Sequence, residues 1–207
     1  MNVLVLLDYA AVLIFALTGA LVASRAQLDI VGFAFLACLT GVGGGTVRDV
    51  LLDRPVFWIA DPTYLGVGCA AAVAVFFTAH RLESRYVALR WLDAGALAVA
   101  VAAGAGIAAR EGAPMPIVVV MGMITGCMGG LARDVVANEV PLVLRQGELY
   151  VTCAFTGAAA LALLRLIGVG EAPAVLTCAA LTAALRAGSI RFGWALPLYK
   201  PHPKRTR

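Results

Sequence analysis

A nine-residue motif rich in glycine occurs twice in the chain, each time inside an apolar stretch. The first copy is Gly-Val-Gly-Gly-Gly-Thr-Val-Arg-Asp at 41–49, and the second is Gly-Cys-Met-Gly-Gly-Leu-Ala-Arg-Asp at 126–134. Glycine removes side-chain bulk and weakens a helix, whereas Arg followed by Asp places two charges among hydrocarbon neighbours. Charges at membrane depth are costly and usually functional. A costly feature that occurs twice therefore constrains the fold strongly.

The composition indicates an integral membrane protein. Hydrophobic residues make up 62% of the 207 residues and charged residues only 14%, against about 25% charged residues in soluble domains. The net charge of +4 does not indicate nucleic-acid binding, because the basic residues lie between apolar runs and in the tail. The cysteines lie within apolar runs and lack metal-ligand spacing, so we expect no disulfide and no metal site.

Seven stretches are apolar enough to cross a bilayer, which takes about 20 helical residues. Their ranges are 3–23, 30–50, 63–79, 91–109, 116–136, 148–167 and 172–190. The connections between them are short, so we expect one all-α transmembrane domain over 1–195. A basic, proline-rich segment at 196–207 follows, and we expect it to be a cytoplasmic tail near anionic lipid headgroups.

A fixed offset of 85 residues relates the two halves of this domain. It pairs Asp8 with Asp93, and it superimposes the two copies of the motif; one added residue then pairs Tyr64 with Tyr150. Each unit holds three helices, at about 3–80 and about 91–167, and a seventh helix at about 172–191 stands alone. Because three is odd, the second unit must enter the membrane from the opposite side, which predicts inverted repeats.

The orientation follows from the basic residues, which concentrate on the cytoplasmic side of membrane proteins. Most arginines and lysines, including those of the tail, share one side if the N-terminus lies outside. We therefore expect the N-terminus outside and the C-terminus inside, in a cell's inner membrane.

The glycines favour a helix that breaks at the motif and starts again at Thr46, with Asp49 completing a capping signal. A break would free carbonyl groups around 39–41 and 124–126, which could replace part of a cation's hydration shell. The alternative is a continuous helix whose glycines permit close packing. The residues predicted to line an ion path are Thr40, Gly41, Gly43, Gly44, Gly45, Thr46, Thr125, Gly126, Gly129 and Gly130.

The charged residues of the motif admit two interpretations. Each arginine either forms an ion pair that holds helices together, or gates the path by plugging it or by binding an anionic headgroup. The carboxylates expected as partners include Asp8 and Asp93, which occupy equivalent positions early in their helices. The residues predicted for gating or ion pairing are Arg48, Asp49, Arg133, Asp134, Asp8 and Asp93.

With its GxGGGxxRD and GxxGGxxRD motifs, two three-helix repeats and a seventh helix, the chain resembles the prokaryotic trimeric intracellular cation channels. The resemblance implies a homotrimer with one pore per protomer, lined by two helices kinked at the glycines and permeable to monovalent cations, chiefly potassium. It implies no cofactor beyond the permeant ion. The same group has also been described as glycine or small-solute transporters, and a membrane scaffold is a third alternative. The sequence shows no enzymatic constellation, so we do not expect an enzyme.

Overall fold

A computed structural model describes residues 3–82 and 84–197, and all regular secondary structure in this part of the chain is helical. The helices are α1 Val3–Arg25, α2 Ile30–Leu51, α3 Phe57–Ala60, α4 Thr63–Thr78, α5 Arg85–Arg110, α6 Met115–Val136, α7 Val151–Leu166 and α8 Glu171–Phe192. The proposed tail falls mostly on 198–207, which lies outside the described residues.

The seven predicted membrane helices are confirmed as α1, α2, α4, α5, α6, α7 and α8. Six of the described helices are long and apolar enough to cross a membrane, and α7 is a shorter apolar helix. The short α3 was not predicted. The start of α5 was placed six residues too late, because hydropathy does not register a polar first turn. That turn begins after Ser84, whose side chain accepts a hydrogen bond from the backbone of Val87.

The two repeats pack as equivalent three-helix units. In the first, α1 contacts α2 and α4; in the second, α5 contacts α6 and α7 in the same way. The units join where α1 packs on α5 and α2 crosses α6. The eighth helix lies against α5 and α7. Because α5 is covered on several sides, most of its apolar length is buried inside the protein.

The expected helix break at the glycine motif is wrong. The second helix runs without interruption from Ile30 to Leu51, and α6 is likewise continuous through the second copy of the motif. The cap of α2 is Asp29, whose carboxylate accepts from the amide of Gly32 at 2.8 Å. Thr46 is therefore no cap; its hydroxyl donates to the carbonyl of Val42 at 2.7 Å, a bond within the helix. The carbonyls around 39–41 thus belong to a continuous helix.

Candidate functional site

The glycines of the two motifs let α2 and α6 cross with their backbones in contact. A Cβ atom added to Gly44 would lie 2.1 Å from the carbonyl oxygen of Thr125, and one added to Gly129 would lie 2.5 Å from that of Thr40. Neither distance is compatible with a side chain. Because the offset of 85 exchanges these two contacts, the crossing itself has the symmetry of the inverted repeat.

Two further glycines bring α1 and α5 against the same crossing. A Cβ at Gly19 would lie 2.6 Å from the Thr40 hydroxyl, and one at Gly104 would lie 2.2 Å from the Thr125 hydroxyl. Both hydroxyls donate to helix carbonyls: Thr40 to Leu36 at 2.5 Å and Thr125 to Met121 at 2.7 Å. Four helices therefore meet at these two threonines, with small residues at every contact.

A small cavity lies on the side of the crossing that faces α1 and α5. Its volume of about 10 Å³ is roughly that of one water-sized probe. Among the residues predicted to line an ion path, Gly41, Gly44, Gly45 and Thr125 border it. Asp8 forms its charged wall.

The other predicted path residues lie elsewhere. Gly43 and Thr46 line a separate apolar cleft of about 340 Å³ on the opposite side of α2, where the Trp58 indole donates to the Thr46 hydroxyl at 2.8 Å. Gly126 packs on Val101 and Leu97 of α5. The remaining members are contact points: Thr40 and Gly129 meet at the crossing, and Gly130 lies near the Asp93–Arg133 pair.

The first charged cluster joins α1 to α2. The Arg48 guanidinium donates from Nη1 to Asp8 at 2.8 Å and from Nε to the adjacent Asp49 at 2.8 Å. The other oxygen of Asp49 accepts from the amide of Phe57 at 3.0 Å, which holds the start of α3 against α2. The Arg48 side chain is 1% exposed, whereas that of Asp8 is 13% exposed.

The second cluster repeats this arrangement between α5 and α6. Arg133 donates to Asp93 at 3.0 Å and to Asp134 at 2.7 Å, and Asp134 accepts from the amide of Leu142 at 2.8 Å. The Arg133 guanidinium also donates to the Thr18 hydroxyl of the first repeat at 2.7 Å. Both Arg133 and Asp93 are fully buried.

Sequence reasoning found the ion pairs but missed several of their neighbours. Thr18 was missed because its equivalent in the second repeat is Ala103, so the repeat gives no signal there. Phe57 and Leu142, whose amides bind Asp49 and Asp134, are still related by the offset of 85. The added residue of the second unit therefore lies between Leu142 and Tyr150.

A third charged network, also not predicted, joins α5 to α8 through Glu148. Glu148 binds Arg90 of α5 at 2.8 Å and the fully buried Arg186 of α8 at 2.7 Å. The Arg186 guanidinium lies 4.9 Å from the centre of the Tyr150 ring. Across 3–82 and 84–197, no three His, Cys, Asp or Glu side chains lie close enough together to hold a metal ion.

Comparison with known proteins places the chain in a family. A family model described as "Glycine transporter" matches residues 5–80 and 90–166, which are the two repeats. The chain belongs to this family. Among curated proteins, a UPF0126 membrane protein of Vibrio cholerae is 37% identical over 96% of this chain and 83% of its own length. The UPF0126 inner membrane protein YadS of Escherichia coli is 41% identical over 73% of each chain.

Solved structures share the whole architecture. The trimeric intracellular cation channel orthologue from Rhodobacter sphaeroides superimposes with a TM-score of 0.90 and 42% identity, covering 94% of this chain and all of its own. A second solved structure, described as the structural basis for conductance through TRIC cation channels, superimposes with a TM-score of 0.85. It is 29% identical and covers 95% of this chain and 97% of its own. The fold of this family member is therefore that of the trimeric intracellular cation channels, and it is a multi-pass membrane protein like its inner membrane relatives.

Proposed function

We propose that the chain is a channel for monovalent cations, with potassium as the permeant ion. The observation that carries the proposal is the crossing of α2 and α6, where glycine faces border a small cavity with Asp8 and Thr125 in its wall. The likeness to proteins described as cation channels supports it. The path would run along Gly41, Gly44 and Gly45, through the centre of the inverted repeat.

The charges at the crossing favour cations over anions. Each buried cluster holds one arginine and two aspartates, so each carries a formal excess of one negative charge when all three groups are ionised. A buried charge without a partner is costly, and a cation in the cavity that Asp8 borders would offset the excess charge of the first cluster. The arginines are neutralised by their own carboxylates and do not oppose a cation as isolated positive charges would.

We assign the present conformation to a closed state, because a cavity that holds about one water molecule cannot support a continuous aqueous path. Opening would require α2 and α6 to shift at their glycine contacts. The ion pairs of Arg48 and Arg133 span α1–α2 and α5–α6, so a gating role for them is part of the proposal.

We also propose a homotrimer in the inner membrane, with one pore per protomer, the N-terminus outside and the C-terminus inside. The trimeric assembly named for the Rhodobacter sphaeroides protein supports the first part, and the distribution of basic residues supports the orientation. Light scattering of purified protein should give three chain masses, and a C-terminal phosphatase reporter should be inactive. A monomer mass or an active reporter would contradict the respective part.

Glycine transport is the second candidate, because the family model carries that description. Potassium-loaded liposomes containing the protein test both candidates. A channel would release potassium passively, whether or not glycine is present. A transporter would instead take up labelled glycine at a rate that saturates with glycine concentration, and potassium would stay inside. Liposomes with the Gly44→Ala variant serve as the control, since a Cβ at that position meets the backbone of α6. Saturable glycine uptake without potassium release would overturn the channel proposal.

A further inference from the structure

Away from the ion path, two cysteines face each other between α2 and α4. The Sγ atoms of Cys38 and Cys69 are 3.8 Å apart, and both thiols are free. The Cys38 thiol also lies 3.9 Å from the carbonyl oxygen of Leu65 on α4. Cys69 is exposed at the surface of the single chain, whereas Cys38 is half-buried. The pair thus connects a helix of the crossing with a helix at the surface.

The backbones of α2 and α4 approach each other closely beside these thiols. The reason is Gly68: a Cβ added there would lie 3.0 Å from the Cys38 sulfur and 3.6 Å from its Cα. A disulfide bond is about 2.05 Å long, so the two sulfur atoms need to approach by about 1.8 Å. Side-chain rotation and a small helix shift can supply an approach of that size.

The pair lies well inside the lengths of two apolar helices that can cross a membrane. Cys38 follows the start of α2 at Ile30 by about 12 Å of helix rise, and Cys69 follows the start of α4 at Thr63 by about 9 Å. Water-soluble thiols such as glutathione do not enter the hydrocarbon core, which is about 30 Å thick. Apolar oxidants that partition into lipid reach an exposed side chain at this depth. The redox state of the pair would therefore depend on the oxidants and reductants dissolved in the membrane.

We propose that Cys38 and Cys69 form a reversible disulfide, with a membrane-soluble quinone as the oxidant, and that this bond restrains α2. Two S–H bonds break and one S–S bond forms; the thiols lose two electrons and two protons, which convert the quinone to its quinol. A lipid-soluble dithiol, which can enter the hydrocarbon core, reverses the step by thiol–disulfide exchange and is itself oxidised to a cyclic disulfide. The second repeat has Met123 at the position of Cys38, so the restraint acts on one repeat only.

The consequence for conduction rests on the proposed channel function. Cys38 lies on α2 two residues before Thr40, which contacts Gly129 at the crossing. A covalent tie between α2 and α4 would oppose any shift of α2 against α6. Mean current through the oxidised protein should then fall roughly tenfold, a size of coupling that two-state elements commonly carry.

The decisive test reads the bond itself. Full-length protein in liposomes is treated with a short-chain ubiquinone, and intact mass spectrometry and peptide mapping follow. The wild type should lose the mass of two hydrogen atoms, with Cys38 linked to Cys69, and Cys38→Ser and Cys69→Ser should lose none. Unchanged wild-type mass, a link between protomers through Cys69, or an equal loss in either serine variant would overturn the proposal.

A second readout separates this inference from the channel proposal. Current is measured before oxidation, after oxidation and after reduction with a lipid-soluble dithiol such as dihydrolipoamide, for wild type and Cys38→Ser. Loss and recovery in the wild type alone support the restraint. Unchanged current in a protein shown by mass to be fully cross-linked would overturn the restraint, whereas absence of current before oxidation would bear on the channel proposal instead.

Discussion

The two charged clusters have the same three residue types in the same geometry, yet their surroundings differ. Asp8 of the first cluster is 13% exposed and borders the small cavity, while Asp93 of the second is fully buried. The Thr18 hydroxyl of the first repeat accepts a hydrogen bond from Arg133 and donates one to the Phe15 carbonyl. Ala103 stands at the equivalent position of the second repeat, so no matching hydroxyl is available to Arg48. The inverted repeat therefore builds one half that is partly open and one that is sealed. An exact repeat would have made both halves alike.

Replacement of the arginines should have the largest effect and tests this contrast directly. Arg133→Met leaves Asp93 and Asp134 buried without their cation, and removal of one partner from a buried pair costs about 3–5 kcal/mol. Arg48→Met should cost less, because Asp8 can reach the cavity. Size-exclusion chromatography after heating measures the temperature at which folded protein is lost, and these temperatures rank the variants by stability. Arg81→Met, at an exposed position, is the control. Equal losses of stability in Arg133→Met and Arg48→Met would contradict the difference between the sealed and the partly open cluster.

Alanine at the crossing should have the next largest effect. Gly44→Ala and Gly129→Ala place a Cβ 2.1 Å and 2.5 Å from carbonyl oxygens, and overpacking of this kind typically costs about 1–3 kcal/mol. We expect Gly44→Ala to be the more damaging, and both to reduce current. Gly66→Ala, where a Cβ meets nothing within 4 Å, should leave stability unchanged or slightly raised. A Gly129→Ala protein with normal stability and current would contradict the close crossing.

Removal of the Thr18 hydroxyl should make the second cluster resemble the first. Hydrogen bonds to charged groups contribute about 1.5–3 kcal/mol, so Thr18→Ala should lower stability within that range, and Thr18→Ser should restore it. If the sealed cluster also holds the closed state, Thr18→Ala should raise open probability, which single-channel recording measures. A stable Thr18→Ala protein would show that Arg133 does not depend on its additional partner.

The smallest effect is expected at the rim of the bundle. Arg25 and Glu139 form a 3.1 Å ion pair with side chains 30% and 25% exposed, and pairs this exposed contribute less than about 1 kcal/mol. Glu139→Gln should thus shift thermal stability only slightly and leave current unchanged. A loss as large as that of Arg133→Met would mean that burial does not rank these ion pairs.

Most of the fold could be predicted, because hydropathy locates the membrane helices and the duplicated motif shows how the two repeats correspond. The seven helices and the partners Asp8 and Asp93 follow from apolar length and from one offset. The start of α5 and the short α3 could not be found in this way, since their residues are polar or few. Such segments are ordered by caps and tertiary contacts rather than by periodicity.

The site was predicted less completely. Glycine permits both a broken helix and a close crossing, and only tertiary contact between Gly44 and Thr125 distinguishes the two. Thr18 is 115 residues from Arg133 in the chain, so no local pattern links them. Likewise, the separation of Gly43 and Thr46 from the cavity depends on which face of α2 each occupies.

The proposed ion path takes cations past the crossing of α2 and α6, along the cavity that Asp8 borders. Current through purified protein in a planar bilayer, with unequal KCl concentrations on the two sides, tests it most directly. We expect discrete current steps that reverse near the potassium equilibrium potential. Reversal near the chloride potential, or silence from protein shown to be inserted, would contradict it.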